Sequence, residues 1–93
     1  MRTISYGSRF KKDFKRESRG VYGRTLVDDL KAVTDLLRDD ALLPDRCSDH
    51  ALGGRWLGDR DCHLKPDLVL IYRKPDDRTL QLVRLGSHSE LAL

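Results

Sequence analysis

The stretch Arg60-Asp61-Cys62-His63-Leu64-Lys65-Pro66-Asp67-Leu68-Val69-Leu70-Ile71-Tyr72-Arg73 contains two strand signals separated by a short Pro-containing link. Leu68 to Tyr72 is the longest apolar run in the chain, and a run of that length without polar alternation predicts a central strand covered on both faces. Arg60 to Leu64 reads differently. Successive side chains on a strand point to opposite faces, so if Cys62 and Leu64 face a core, His63 and Asp61 face the other side. Two strands of this kind need further strands and a covering layer, and the flanking sequence provides both.

Downstream, Pro75-Asp76-Asp77 forms a turn into another strand over Thr79 to Leu85. Immediately upstream, Arg55 to Gly58 gives a third strand signal. At the N-terminus, Ile4 and Tyr6 alternate with Thr3 and Ser5, which predicts a short strand over Arg2 to Tyr6 ended by Gly7. Ser8 is then placed to cap a helix in which Phe10 and Phe14 lie one turn apart on the core side, with Arg9, Lys11, Lys12, Lys15, Arg16 and Arg19 on the remainder and Gly20 at its end. Thr25 with Asp28 resembles a capping box, and Leu26, Leu30, Val33 and Leu37 form one apolar stripe on a second helix running to about Arg38. Asp39 to Gly54 is polar, contains Pro44 and the Gly53-Gly54 pair, and is longer than an ordinary connection, as functional loops often are. The predicted fold class is α+β, ordered β-α-α-β-β-β(-β): one domain over residues 1–93, a mainly antiparallel sheet with two helices packed on one face.

Ninety-three residues suffice for one modest core and exclude two domains. The apolar run in the central strand is far short of the roughly 20 residues that a membrane span requires, and no apolar segment of the signal-peptide type follows Met1, so a cytoplasmic protein is expected. Cys47 and Cys62 are then expected to be free thiols, and two cysteines alone make no zinc site. Residues 1–25 carry eight Lys or Arg against two acidic residues, whereas residues 26–50 carry three against seven. The basic N-terminal quarter favours polyphosphate partners through counterion release, without reading any sequence, and a solvated helix face accounts for it nearly as well.

His50, His63 and His88 are the only histidines, and together with Asp67 each is placed at an end or on the open face of the sheet. Metal-free RNA cleavage needs a base to take the 2′-hydroxyl proton, an acid to protonate the departing 5′-oxygen, and cations to hold the phosphorane between them. Histidine suits both proton roles because its ordinary pKa lies near neutrality. Arg84, Arg55, Arg60 and Lys65 are the nearby candidate cations, with Lys11, Lys12 and Lys15 of the first helix as a wider RNA-binding field. Zinc ligation by the same histidines is the rival reading, but no pair shows the short ligand spacing of the usual motifs, so neither metal nor other cofactor is expected. Trp56 reads as a packing residue.

Three segments resemble the YafQ branch of the RelE/ParE toxin superfamily across nearly the whole chain. Asp49-His50-Ala51-Leu52-Gly53-Gly54-Arg55-Trp56 is similar to D-H-P-L-x-G-x-W; Arg60 to Tyr72 to R-x-x-H-x-x-P-D-W-x-L-I-Y; and Arg84-Leu85-Gly86-Ser87-His88-Ser89-Glu90-Leu91 to R-T-G-S-H-S-E-L-F. The resemblance implies a RelE-like fold and a type II toxin that enters the ribosomal A site and cuts mRNA, leaving a 2′,3′-cyclic phosphate and a 5′-hydroxyl. A tightly bound antitoxin of ribbon-helix-helix type would silence it, and operator DNA would be contacted only through that antitoxin. His50, His63, Asp67 and His88 match the family's catalytic positions. Leu68 stands where the family has Trp, and Ala92 follows Leu91 where it has an aromatic, so ring surface able to stack on bases is missing here. A ParE-like toxin that binds gyrase and cuts nothing, and a degenerate toxin kept only for antitoxin binding, are the alternatives.

Overall fold

The computed structural model describes residues 1–93. In chain order it contains β1 (Thr3–Tyr6), α1 (Ser8–Ser18), α2 (Leu26–Arg38), β2 (His50–Ala51), β3 (Arg60–Lys65), β4 (Leu68–Arg73), β5 (Thr79–Gly86) and α3 (His88–Leu91), with single 3-10 turns at Asp45–Cys47 and Gly54–Trp56. The five strands form one sheet in the order β1-β5-β4-β3-β2. β1 runs parallel to β5 and every other pair is antiparallel. This is the α+β, RelE-like arrangement expected from the sequence.

β4 lies at the middle of the sheet with all of Leu68 to Tyr72 buried, which is why its sequence is continuously apolar. On one face Leu70 and Tyr72 join Cys62, Leu80, Leu82 and Leu85 beneath Phe10, Leu26, Leu30, Val33 and Leu37 of α1 and α2. On the other, Val69 and Ile71 pack with Leu91 of α3 and with Leu52, Trp56 and Val83. Trp56 is therefore a packing residue, as its sequence context indicates. Pairing shifts register between Ile71 and Tyr72, and the resulting irregularity in β5 places both Leu82 and Leu85 on the helix face.

Three local expectations are corrected. Arg55 to Gly58 is not a strand: Gly54 and Gly58 adopt φ of +61° and +95°, left-handed values that break an extended run, and Gly54–Trp56 curls into a 3-10 turn. The edge position beside β3 is occupied by the two-residue β2. Ser8 does not cap α1 but is its first residue; Gly7 is the cap, its N–H donating to the Leu82 carbonyl at 2.9 Å and extending the β1–β5 pairing into the helix start. Thr25 does precede α2, yet its hydroxyl donates to Asp29 at 3.0 Å and forms no capping box with Asp28.

Candidate active site

The face of the sheet opposite α1 and α2 carries the histidines. His50 and Asp61 are direct partners across the β2–β3 pairing, so their side chains share a face. His63 follows two residues along β3, just before a bulge at His63/Lys65 that ends the regular ladder. Asp67 occupies the turn between β3 and β4. His88 is the first residue of α3, whose start is set by a complete capping box: Ser87 Oγ accepts from Glu90 N at 3.2 Å while Glu90 Oε1 accepts from Ser87 N at 2.9 Å. The Ser87-His88-Ser89-Glu90 spacing carries that helix signal, which the sequence reading passed over.

Of the four nominated residues, Asp67 and His88 form a pair, His63 stands against His88, and His50 lies beside a further carboxylate, Asp61. His88 Nδ1 lies 2.7 Å from Asp67 Oδ1, and the same oxygen accepts the His88 backbone N–H at 3.1 Å. These two bonds from His88 hold the Asp67 carboxyl below its usual range, so it accepts and His88 Nδ1 carries the proton. The His63 ring stands edge-on to that of His88, with centroids 5.0 Å apart. His50 Nδ1 lies 2.7 Å from the Ser48 carbonyl, which can only accept, so this nitrogen is also protonated. Both His50 and His88 therefore direct Nε2 away from their anchors, where it is free to take or give a proton.

Asp61 completes the site and was not nominated from sequence. The residue is 2% exposed, and Oδ1 is buried with no hydrogen bond aligned to it, although His50 Nδ1 lies within ion-pair range at 3.1 Å. Burial pushes the Asp61 carboxyl above its ordinary pKa, against the pull of His50, His63 and His88. Strand parity had set Asp61 beside His63 on this face; what the sequence lacked was the edge pairing that covers it with His50.

The nominated cations divide. Arg55 belongs to the site face: its Nη2 donates to the Leu91 carbonyl at 3.5 Å and its guanidinium lies 5.1 Å from the centre of the Trp56 ring. Arg84 has Nε 2.7 Å and Nη2 3.3 Å from the Asp13 carboxylate. Arg60 pairs with Asp49 at 3.3 Å, and Lys65 with Asp29 of α2 at 3.2 Å. Lys11, Lys12 and Lys15 are exposed on α1, across the sheet from the histidines. No three His, Cys, Asp or Glu side chains are arranged to hold a metal ion.

The chain and its fold have known counterparts. A family model described as bacterial toxin of type II toxin-antitoxin system, YafQ, matches residues 2–93. The mRNA interferase toxin YafQ of Escherichia coli K12 is 37% identical over 91 residues, covering 97% of this chain and 95% of that protein. The toxin in the crystal structure of the E. coli DinJ-YafQ toxin-antitoxin complex superposes with a TM-score of 0.80 at 35% identity, covering 97% of this chain and 96% of the other. A metal-bound toxin from Helicobacter pylori superposes with a TM-score of 0.81 at 40% identity over 98% of this chain and 99% of its own. With a family match that leaves only Met1 outside it and relatives more than 30% identical over nearly the whole of both chains, the chain belongs to the YafQ family of bacterial type II toxin–antitoxin toxins.

Proposed function

We propose that this toxin is an mRNA endoribonuclease acting on the ribosome, with His50 as base and His88 as acid. The observation that carries the proposal is the pair of Asp–His contacts, Asp61–His50 and Asp67–His88, on one exposed face with His63 against His88. His50 Nε2 takes the 2′-hydroxyl proton, the 2′-oxygen attacks the adjacent phosphorus, and the 5′-oxygen departs with a proton from His88. The products are a 2′,3′-cyclic phosphate and a 5′-hydroxyl. Asp67 keeps His88 oriented through its bond to Nδ1, while His63 and Arg55 stabilise the charge that develops on the phosphorane. Arg84, Arg60, Lys65 and the α1 lysines contribute to RNA binding as a surrounding field. The partners are mRNA in the ribosomal A site and, for inhibition, an antitoxin, for which the E. coli DinJ-YafQ toxin-antitoxin complex is the precedent; the type proposed for it is ribbon-helix-helix. Operator DNA is then reached only through the antitoxin.

Induced expression in bacteria tests this directly. Growth arrest is expected, with new 5′ ends inside translated messages by primer extension, and His88→Ala should abolish both while still binding the antitoxin. Harmless expression of a protein that binds ribosomes normally would overturn the enzymatic reading, and cleavage complexes dependent on gyrase would replace it with a gyrase-binding one. Because a metal-bound relative exists, the toxin is also to be stripped of transition metals by chelation and dialysed before it meets ribosomes in magnesium buffer. Undiminished cutting is expected, and recovery only on adding zinc or copper would refute the metal-independent mechanism.

A further inference from the structure

His50 is carried by a strand that cannot hold itself in place. β2 has two residues, lies at the sheet edge and is joined only to β3. Just before it the chain reverses through Ser48 at φ 48°, a left-handed value for a residue with a side chain. Two residues of edge pairing fray readily, since an edge strand has a partner on one side only. Downstream, the Leu52 N–H donates to the Asp59 carbonyl at 2.9 Å, and Asp59 is itself gripped by Arg73 at 2.7 and 3.1 Å. The upstream end needs its own anchor.

That anchor comes through the sheet from the other side. Tyr72 is buried at 1% exposure among the residues beneath α1 and α2, and it stands directly opposite Arg60 in the β3–β4 pairing. Its hydroxyl lies 2.6 Å from Asp49 Oδ1, and Arg60 Nε lies 3.3 Å from the same oxygen. Burial, reinforced by the Asp49 carboxylate, raises the Tyr72 phenol above its ordinary value, so the phenol is the donor and Asp49 the acceptor. Asp49 immediately precedes His50, and alternate residues face opposite sides. A bond made by Asp49 on the helix face thus sets where His50 stands on the other.

We propose that Tyr72 and Asp49 are positioning residues for His50: the buried Tyr72 hydroxyl latches the Asp49 carboxylate and so holds the His50 imidazole against Asp61 in register for proton abstraction. Neither residue touches the reacting atoms. The consequence for rate rests on the endoribonuclease reading above; the latch itself does not.

Tyr72→Phe tests it, because the ring that fills the core remains and only the hydroxyl is lost. Hydrogen exchange of the isolated toxin should show amides of residues 49–52 exchanging faster, with the β4 and β5 amides and the melting temperature nearly unchanged. Single-turnover cleavage on programmed ribosomes should slow by roughly 10- to 100-fold, as expected when a catalytic group loses its alignment, with ribosome affinity unaltered. Asp49→Ala should behave like Tyr72→Phe, and the double variant should be no slower than either, since one latch is broken once. Asp49→Asn, which keeps a carbonyl acceptor for the phenol, should recover most of the rate. Wild-type exchange over residues 49–52 in Tyr72→Phe, or rate losses that multiply in the double variant, would overturn the proposal. If the wild-type protein cuts nothing, the functional reading fails, while the exchange measurement still decides the latch.

Discussion

A carboxylate that is 2% exposed and lacks an aligned hydrogen bond is an expensive residue for a 93-residue protein to keep. Asp61 fits the role of orienting His50, and the cost of burying it should be measurable separately from its use. Its carboxyl pKa is raised in the folded state, chiefly by burial, so the native protein binds the proton more tightly than the unfolded chain. Stability linked to this group is fully present below the unfolded value and is lost as pH rises through the raised folded value, the opposite of the usual acidic residue. Asp61→Asn should therefore be more stable than wild type in urea at pH 7, by roughly 1 kcal/mol or more given the cost of an unsatisfied buried group, and that falling slope with pH should disappear. The same substitution should slow mRNA cutting several-fold, because an amide no longer presents two equivalent acceptor oxygens to orient His50 Nδ1. A variant that loses stability and activity together would show that Asp61 is simply structural.

At the scale of elements, α1 is fastened to β5 by charge as well as by Phe10. β1 stops pairing at Leu82, which leaves the last part of the β5 edge without a strand partner. Asp13 and Arg16 cover it: the Leu85 N–H donates to Asp13 at 3.0 Å, and Arg16 Nη2 donates to the Leu85 carbonyl at 2.9 Å. Asp13 also accepts from Arg84 at 2.7 Å and from Arg16 at 3.0 Å. Burial pushes its carboxyl pKa up, but Arg84, the Leu85 amide and Arg16 together bring it below the ordinary value. Its contribution is thus present above a pH of about 3.8 and is lost as pH falls through the lowered folded value. Asp13→Ala should cost roughly 3 to 5 kcal/mol in urea unfolding at neutral pH, since it strands a largely buried Arg84 and an edge amide, and the penalty should shrink in acid. A loss under 1 kcal/mol would mean the pairing is too solvated to matter. None of this was legible in the sequence, where Asp13 is one charge in a charged helix. Elements with enough periodic residues were legible: the stripe Leu26, Leu30, Val33, Leu37 identifies α2, and the run Leu68 to Tyr72 identifies β4. β2 was not, because two residues show no period, and Arg55 to Gly58 reads as a strand until the left-handed φ values of Gly54 and Gly58 are known. His50, His63, Asp67 and His88 could be nominated as a site, but Asp61 emerged only once β2 was paired with β3.

Across the whole molecule, the basic and catalytic surfaces face apart, and neither cavity encloses the histidines. A cavity of about 640 Å³ opens among Tyr6, Phe10, Phe14, Val27 and Leu30 on the helix side, and a second of about 550 Å³ reaches the site only through His63. The side chains of His50, Asp67 and His88 are 56%, 62% and 40% exposed, so no wall presses an RNA strand against them. Leu68 is wholly buried in the core, and Ala92, exposed just after Leu91, carries only a methyl group, so neither position offers a ring on which a base can stack. In-line attack needs the 2′-oxygen, phosphorus and 5′-oxygen aligned, and a flexible strand on an open face loses most of the advantage of a preset geometry. The protein thus supplies proton transfer and charge, and the alignment has to come from the surface against which it docks. Under single-turnover conditions, cleavage of free RNA should be slower by roughly a thousandfold or more than cleavage of the same sequence in the A site of a programmed ribosome. Both rates should fall on His88→Ala, which separates the toxin's own chemistry from contaminating nucleases. Equal rates on free and ribosome-bound message at physiological salt would show that this open face grips RNA unaided, and would return the burden of alignment to Arg55, His63 and the cations around them.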